Sequence, residues 1–491
     1  MLDGFIIGFY FLLMLAIGVY SFKKKEAAGS SGFFVAGRKA GIFLVAGSLA
    51  ATFIGASIVL GMVGRGYRMG LPAVWWLLVG AIGLVILGLF LAKRVRRVGV
   101  YTLPELVEKQ YGGKAGLAAS LVIVVAWISI CAAQIVAAGT VMRVLLPTWD
   151  INALMAICAA VFVIYTVLGG QYSVIRTDLL QLIIVIVGIG VTLGLVMHEV
   201  GGIGGLKDSL PSGYFSFPVN DSPGPVPAPF GWYDWIVLLV LTGSVYVVGP
   251  DMYSRLFCAR DEKVAKKSAF TAALVAVPIA FIVVLIGMGA RVLYPDLASS
   301  ENAFPAIIQN LLPAGVSGLV IAALLAAIMS SADTLLLTTS TIFGVDICGK
   351  ISPRIDERRQ LLISKAGVVI IGILAFFVAT RSTGIINSLY NSYYIFTSGI
   401  VIPVVAGFYK DKLKVNSWGA LAAIVGGGGT ALGIKLAGNM TLADGTLIKN
   451  AHLDLVGFCV CAILLFSVSW LTGGMKNKKW KSHGSDIPVS K

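Results

Sequence analysis

The residues able to do chemistry in this chain are few, and most sit inside apolar runs. The densest group is Ala326-Ala327-Ile328-Met329-Ser330-Ser331-Ala332-Asp333-Thr334, followed by Thr338-Thr339-Ser340-Thr341. An ionisable residue within an apolar segment of membrane length is costly and marks a functional site by default. On a helix, Ser330, Ser331 and Thr334 fall within one turn of Asp333. Oxygen donors at that spacing can replace the hydration shell of a small hard cation such as Na⁺. Serine and threonine also bond back to the preceding helical turn. That reading suits Thr338–Thr341 taken alone, whereas Ser330, Ser331 and Asp333 together read as a cation site.

Two more groups flank glycines. Ser48-Leu49-Ala50-Ala51-Thr52-Phe53-Ile54-Gly55-Ala56-Ser57 mixes glycine, serine and threonine into an apolar helix and weakens it. A break there would free backbone carbonyls as ligands, as the broken helices of transporters do. Close helix packing on Gly47, Gly55 and Gly61 explains the same composition equally well. In Tyr165–Gln181, Gly169-Gly170 marks a turn and Asp178 opens the next helix. An acid in a first turn is favoured by the helix dipole, so from the residues alone Asp178 reads as a cap. Gly249-Pro250-Asp251 reads as a kink with a capping acid. The histidines (His198, His452, His483) suggest no metal spacing, and the six cysteines, with no CxxC pair, read as small buried apolar residues.

The elements that carry these groups are membrane spans. Of 491 residues, 58% are hydrophobic and 12% charged, and a water-soluble fold would expose the surplus. Thirteen stretches are long enough to cross a bilayer: 3–22, 43–66, 72–92, 116–144, 151–169, 178–198, 232–253, 268–292, 315–344, 364–382, 385–408, 415–437 and 453–472. Lipid offers the backbone no hydrogen bonds, so these are expected to be helices. With the N-terminus outside and the C-terminus in the cytoplasm, 30 of the 38 Lys and Arg fall on the inner side, Arg255 among them. The net charge of +15 is therefore a topology signal, with anionic lipid rather than nucleic acid as its partner. Residues 199–231 are rich in Gly and Pro and are expected to be irregular, and Glu301–Leu312 to form a short amphipathic helix.

The Gly169-Gly-Gln-Tyr-Ser-Val-x-x-Thr-Asp-x-x-Gln181 run, the Ala-x-x-Ser-Ser run ending at Ser331, and Gly37-Arg38 together resemble the sodium/solute symporter family over about residues 3–472. The resemblance implies an all-α polytopic membrane protein, one transporter unit over 1–491, with thirteen transmembrane helices and LeuT-type inverted five-helix repeats at 43–198 and 232–408. It implies a sodium site made by the carbonyls of Ala51, Ile54 and Ala327 and the hydroxyls of Ser330 and Ser331. It implies a possible second cation at Asp178, Asp333 and Thr334, although Asp333 departs from the serine of sialic-acid-type members. Ser-Ser-Ala-Asp and Leu168-Gly-Gly-Gln-Tyr-Ser are closer to the choline-transporter branch.

The function expected is inward symport of a small organic solute with Na⁺ by alternating access across the cell membrane. The solute is choline-like, an amino acid or another organic molecule. A solute sensor or a sodium-dependent channel on the same core is the alternative, and no nucleophile–base pair suggests an enzyme. Residues expected to line the solute pocket are Thr52, Phe53, Ser57, Trp75, Trp76, Trp127, Gln134, Tyr246, Tyr390, Asn391, Tyr393 and Tyr394. Aromatic faces suit a quaternary ammonium, and equally suit the interfacial belts of a membrane protein.

Overall fold

The computed structural model describes residues 2–26, 29–220, 227–351, 356–382, 385–437, 440–441, 447–448 and 453–473. The side chains of residues 56–58, and so of Ser57, lie outside the described set, as do His452 and His483. Apart from a two-residue antiparallel pair, Met440–Thr441 with Leu447–Ile448, regular structure among the described residues is helical. Nine of these helices are long and apolar enough to cross a membrane, and three shorter apolar ones accompany them. Large apolar side chains such as Phe5, Phe43, Leu274 and Trp470 stand 72–83% exposed on the outside of the bundle. Such a surface is stable against lipid tails and not against water.

The helices that matter for function are α1 (Leu2–Glu26), α2 (Ile42–Phe53), α3 (Ala56–Met69), α4 (Leu71–Val98), α5 (Gly113–Leu145), α6 (Ile151–Glu199), α7 (residues 232–248), α8 (Pro250–Cys258), α9 (Glu262–Leu293), α10 (Val316–Ile351), α11 (Glu357–Ala379) and α12 (residues 385–407). The apolar stretch of α10 is 94% buried against 33% for that of α11, so α10 is the axis and α11 part of the rim. A tight contact fixes its first turn: Asp3 of α1 accepts the N–H groups of Gly315 and Gly318 at 2.7 and 2.9 Å. These are among the orphan donors that any helix start must satisfy.

Two expected spans, 151–169 and 178–198, form the single run α6, with one non-helical residue, Gly170 (φ 62°, ψ −178°). A straight helix would hold residues twelve apart about 18 Å from each other. Tyr165 nevertheless donates to Thr177 at 3.2 Å, so the chain folds back at Gly170, where a side chain would be strained. Among the described residues, four helices contain a π turn: Leu87–Leu91, Leu239–Gly243, Ile342–Cys348 and Thr397–Val401. The Ile342–Cys348 turn turns Asp346 inward, 3.9 Å from Lys350 Nζ, which itself reaches Glu108 at 2.6 Å.

Three expectations need correction. Cys459 is exposed and Cys348 only partly covered, because each lies on a helix face turned away from the core; the other four cysteines are buried. The segment after α6 is less irregular than its composition suggests, since Gly202–Ser209 is helical. Asp178 does not cap a helix: it lies eight residues past the Gly170 break, fully buried and ion-paired. The short helix expected within Glu301–Leu312 is present as Ala303–Asn310.

Candidate cation and solute site

The helix begun at Ile42 stops at Phe53. Ile54 (φ −98°, ψ 37°) and Gly55 (φ −56°, ψ 152°) leave helical geometry, and the chain resumes as α3. The break removes the donors that would satisfy the last carbonyls of α2, those of Ala51 and Ile54 included. The Ala51 oxygen faces the Ser330 hydroxyl at 3.5 Å, and the same hydroxyl donates to the Ala327 carbonyl at 3.0 Å. Ser331 Oγ is buried with no hydrogen-bond partner. It lies so close to Gly55 that a Cβ there would stand 2.3 Å from it, so any side chain at the break must displace the hydroxyl. Four of the five residues expected to ligate sodium thus meet across the α2–α10 contact, and Ile54 sits at the break itself. Their donors are neutral oxygens in a dry environment, a set suited to a hard, weakly charged cation.

One turn along α10 the chemistry changes. A second helix break, at Gly249 (φ −50°, ψ 134°), starts α8 with Pro250 in its first turn. All nine residues of α8 are buried, Arg255 among them. Its guanidinium reaches Asp178 Oδ2 at 3.3 Å, Ser48 Oγ at 3.2 Å and Ser254 Oγ at 3.0 Å, and it also contacts the Thr334 hydroxyl. Ser48 donates to the same Asp178 oxygen, while Asp178 Oδ1 has no partner. Asp333 accepts from Thr166, on the part of α6 before Gly170, at 3.1 Å. The expected second-cation residues therefore divide: Asp178 and Thr334 meet at Arg255, and Asp333 bonds to Thr166 instead.

The expected solute residues also divide. Phe53, Tyr246 and Tyr393 form one aromatic series, with ring centroids 4.7 and 6.5 Å apart. Trp127 packs on Phe396 at 4.7 Å, and its indole nitrogen and Thr52 Oγ1 are buried without partners. Gln134 lies beside Gly55. Trp75 does not face this centre, because it stacks on Phe217 and donates to the Pro218 carbonyl at 3.0 Å. Tyr390 is tied to Asp454 at 2.7 Å and Tyr394 to the Leu453 carbonyl at 3.0 Å, and Asn391 is exposed. Above the aromatic series, toward the C-terminal end of α3, lies a cavity of about 690 Å³. Arg65, Trp76, Tyr233, Glu301 and Tyr390 are in its wall. Sequence reasoning missed Ser48, Arg65, Thr166 and Arg255. Ser48 and Thr166 lay within runs that the sequence singled out without giving them a role, the Gly-Pro-Asp break pointed near Arg255, and nothing pointed to Arg65.

A family model described as "Sodium:solute symporter family" matches residues 33–427. The chain belongs to the sodium:solute symporter family. Among this symporter's relatives, sodium/glucose cotransporter 2 of Rattus norvegicus is 26% identical, with 95% of this chain and 76% of the relative covered. The sodium/glucose cotransporter of Vibrio parahaemolyticus is 27% identical, with 86% and 83% covered. In fold, the symporter resembles a substrate-bound, outward-open Na⁺-coupled sialic acid symporter, with a TM-score of 0.77 at 19% identity over 96% of this chain and 98% of the other. A nucleobase-cation-symport-1 family transporter follows, with a TM-score of 0.63 at 13% identity over 90% and 94%. The relatives are transporters and not enzymes, the coupling ion is Na⁺, and the symporter is a multi-pass membrane protein. The relatives named here give no support to a choline-transporter affinity.

Proposed function

We propose that this symporter drives a small organic solute inward with Na⁺ bound by Ala51, Ile54, Ala327, Ser330 and Ser331. The observation that carries the reading is the partnerless Ser331 hydroxyl, aimed at the α2–α3 break beside Ser330 and the Ala51 carbonyl. The solute sits beside the break, against Thr52, Phe53, Trp127, Gln134, Tyr246 and Tyr393, with Trp76 above. Alternating access then moves the helices that end at the two breaks, residues 54–55 and Gly249. These breaks open the proposed inverted repeats 43–198 and 232–408. A 49-residue helix would be about 73 Å long, more than twice a bilayer core. Taking α6 as two crossings on either side of Gly170 supports thirteen spans, with the N-terminus outside and basic loops facing anionic lipid in the cytoplasm. A second cation is proposed near Asp178 and Asp333, since one arginine balances only one of these two carboxylates.

Proteoliposomes test this reading. An outward-to-inward Na⁺ gradient should drive labelled-solute uptake, and external unlabelled solute should accelerate efflux by exchange, which a channel does not do. Cysteines at Asp208 and Lys263, both exposed, should label from outside and inside respectively. Labelling of both from one face would overturn the orientation.

A further inference from the structure

We infer that the solute carries an anionic group, a carboxylate in the first instance, and that Arg65 is the residue that recognises it. The inference rests on the symport reading and specifies its substrate class. Arg65 lies on α3 in the wall of the 690 Å³ cavity. Its guanidinium carbon sits 3.9 Å from the Trp76 ring centroid, which holds the planar fork in place. Arg65 Nε is buried with no hydrogen-bond partner, and among the described residues the guanidinium has no ion pair. A half-buried, stacked guanidinium without an anion is incomplete: desolvation has been incurred and no charge returned.

The carboxylates in the same wall are held by other groups and none of them pairs with Arg65, although Asp234 and Glu301 keep their charge. Asp454 holds Lys435 at 3.0 Å and the Tyr390 hydroxyl at 2.7 Å. Asp234 accepts the Gly231 N–H at 2.9 Å, and Glu301 accepts the Ile385 N–H at 3.1 Å. Arg68, exposed and also in the wall, adds a second positive charge near Arg65. An arginine fork presents two parallel N–H donors, the geometry a carboxylate accepts best. A quaternary ammonium placed against the Arg65 guanidinium would meet like charge. The Trp76 face that might have drawn it is already covered by Arg65.

The test uses the purified full chain and thermal shift in NaCl or KCl. Its probes are acetate, propionate, lactate, pyruvate, benzoate and nicotinate, each paired with its amide, together with choline. At least one acid should raise the melting temperature in NaCl and not in KCl, while its amide and choline do not. Arg65→Gln should weaken that acid's half-saturating concentration about 10- to 100-fold. Arg65→Lys should keep part of the response, and the shift given by NaCl alone should survive in both. In the wild-type chain, the same acid and not its amide should protect Arg65 from phenylglyoxal, read by peptide mass spectrometry, so the result does not hang on a variant folding. An amide equal to its acid, a response to choline alone, no response to any acid, or an unchanged acid response in Arg65→Gln would overturn the inference. A wild-type chain indifferent to Na⁺ would instead overturn the coupling reading, and acid binding in KCl would still decide the role of Arg65.

Discussion

The two helix breaks face successive turns of the same buried helix and solve the same electrostatic problem in opposite ways. At Ile54–Gly55 the protein offers neutral oxygens, from Ala51, Ser330 and Ser331, and no charge. At Gly249 it delivers a cation of its own, Arg255, against Asp178 and Thr334. On the proposed reading, a site of neutral oxygens is filled from solution, so its state follows the Na⁺ concentration. A carboxylate paired with a tethered guanidinium is filled at all salt concentrations. The first arrangement can therefore report a gradient, while the second mainly holds α8, α6 and α2 against α10. Part of its contribution is to prevent the cost of a lone buried charge.

The sharpest way to break this contrast is to remove the tethered cation. Arg255→Leu strands Asp178 and should cost about 3–5 kcal/mol. The measurement is melting temperature and yield of folded protein in KCl, and adding Asp178→Asn should restore most of both. A single variant as stable as wild type would mean that the pair holds nothing together.

The next largest effect belongs to the other break. Ser331→Ala should raise half-saturating Na⁺ about 10- to 100-fold, the range expected for one lost hydrogen bond to a charge. Its melting temperature in KCl should stay unchanged. Gly55→Ala should give the same Na⁺ phenotype without touching a ligand, because the added methyl must displace Ser331 Oγ. Since linkage is reciprocal, solute should raise Na⁺ affinity by the factor by which Na⁺ raises that of solute. Unaltered Na⁺ affinity in both variants would remove these residues from the site.

The smallest effect tests whether a second cation sits near Asp178 and Asp333, beside the region that Arg255 already fills. Asp333→Asn should lower the charge carried per solute by one and bring the Na⁺ Hill coefficient toward one, as reversal potentials in proteoliposomes would report. A wild-type ratio of one Na⁺ per solute, retained in the variant, ends the two-cation reading. If a proton is shared instead, uptake loses its pH dependence in Asp333→Asn and keeps its Na⁺ ratio.

The gathering of neutral oxygens at the α2–α3 break was legible in the sequence because its signals are local. Glycine and hydroxyl residues weaken a helix wherever they occur, and Ser330 and Ser331 stand together in an apolar run, although Ser330 also bonds back to Ala327. Nine long apolar helices among the described residues were legible for the same reason, since bilayer thickness sets their length. Arg255 was not legible. In the chain it resembles any basic residue at an inner helix end, and it was counted among them. Only the position of α8, buried on all sides, brings it to Asp178. The capping expectation for Asp178 failed with it, because the helix restarts at Gly170 and not near Thr177. Trp75 and Trp76 are adjacent and chemically identical, yet one binds a loop and the other backs Arg65. One residue of helical rotation decides that, and composition does not record it.

The π turn at Ile342–Cys348 has a consequence for how this helix can vary between proteins. Such a turn accommodates one residue more than the α turn it replaces. Loss of a single residue there would close it to an α turn and leave both flanks facing as they do now, because the π turn already absorbs the extra residue. Lys350 would keep its reach to Glu108 and the Ser330–Thr334 face its place, while the inward facing of Asp346 would be lost. Helix α10 can thus gain or lose one residue at this turn with both ends held, so a lineage can vary the middle of the axis without re-aiming either end.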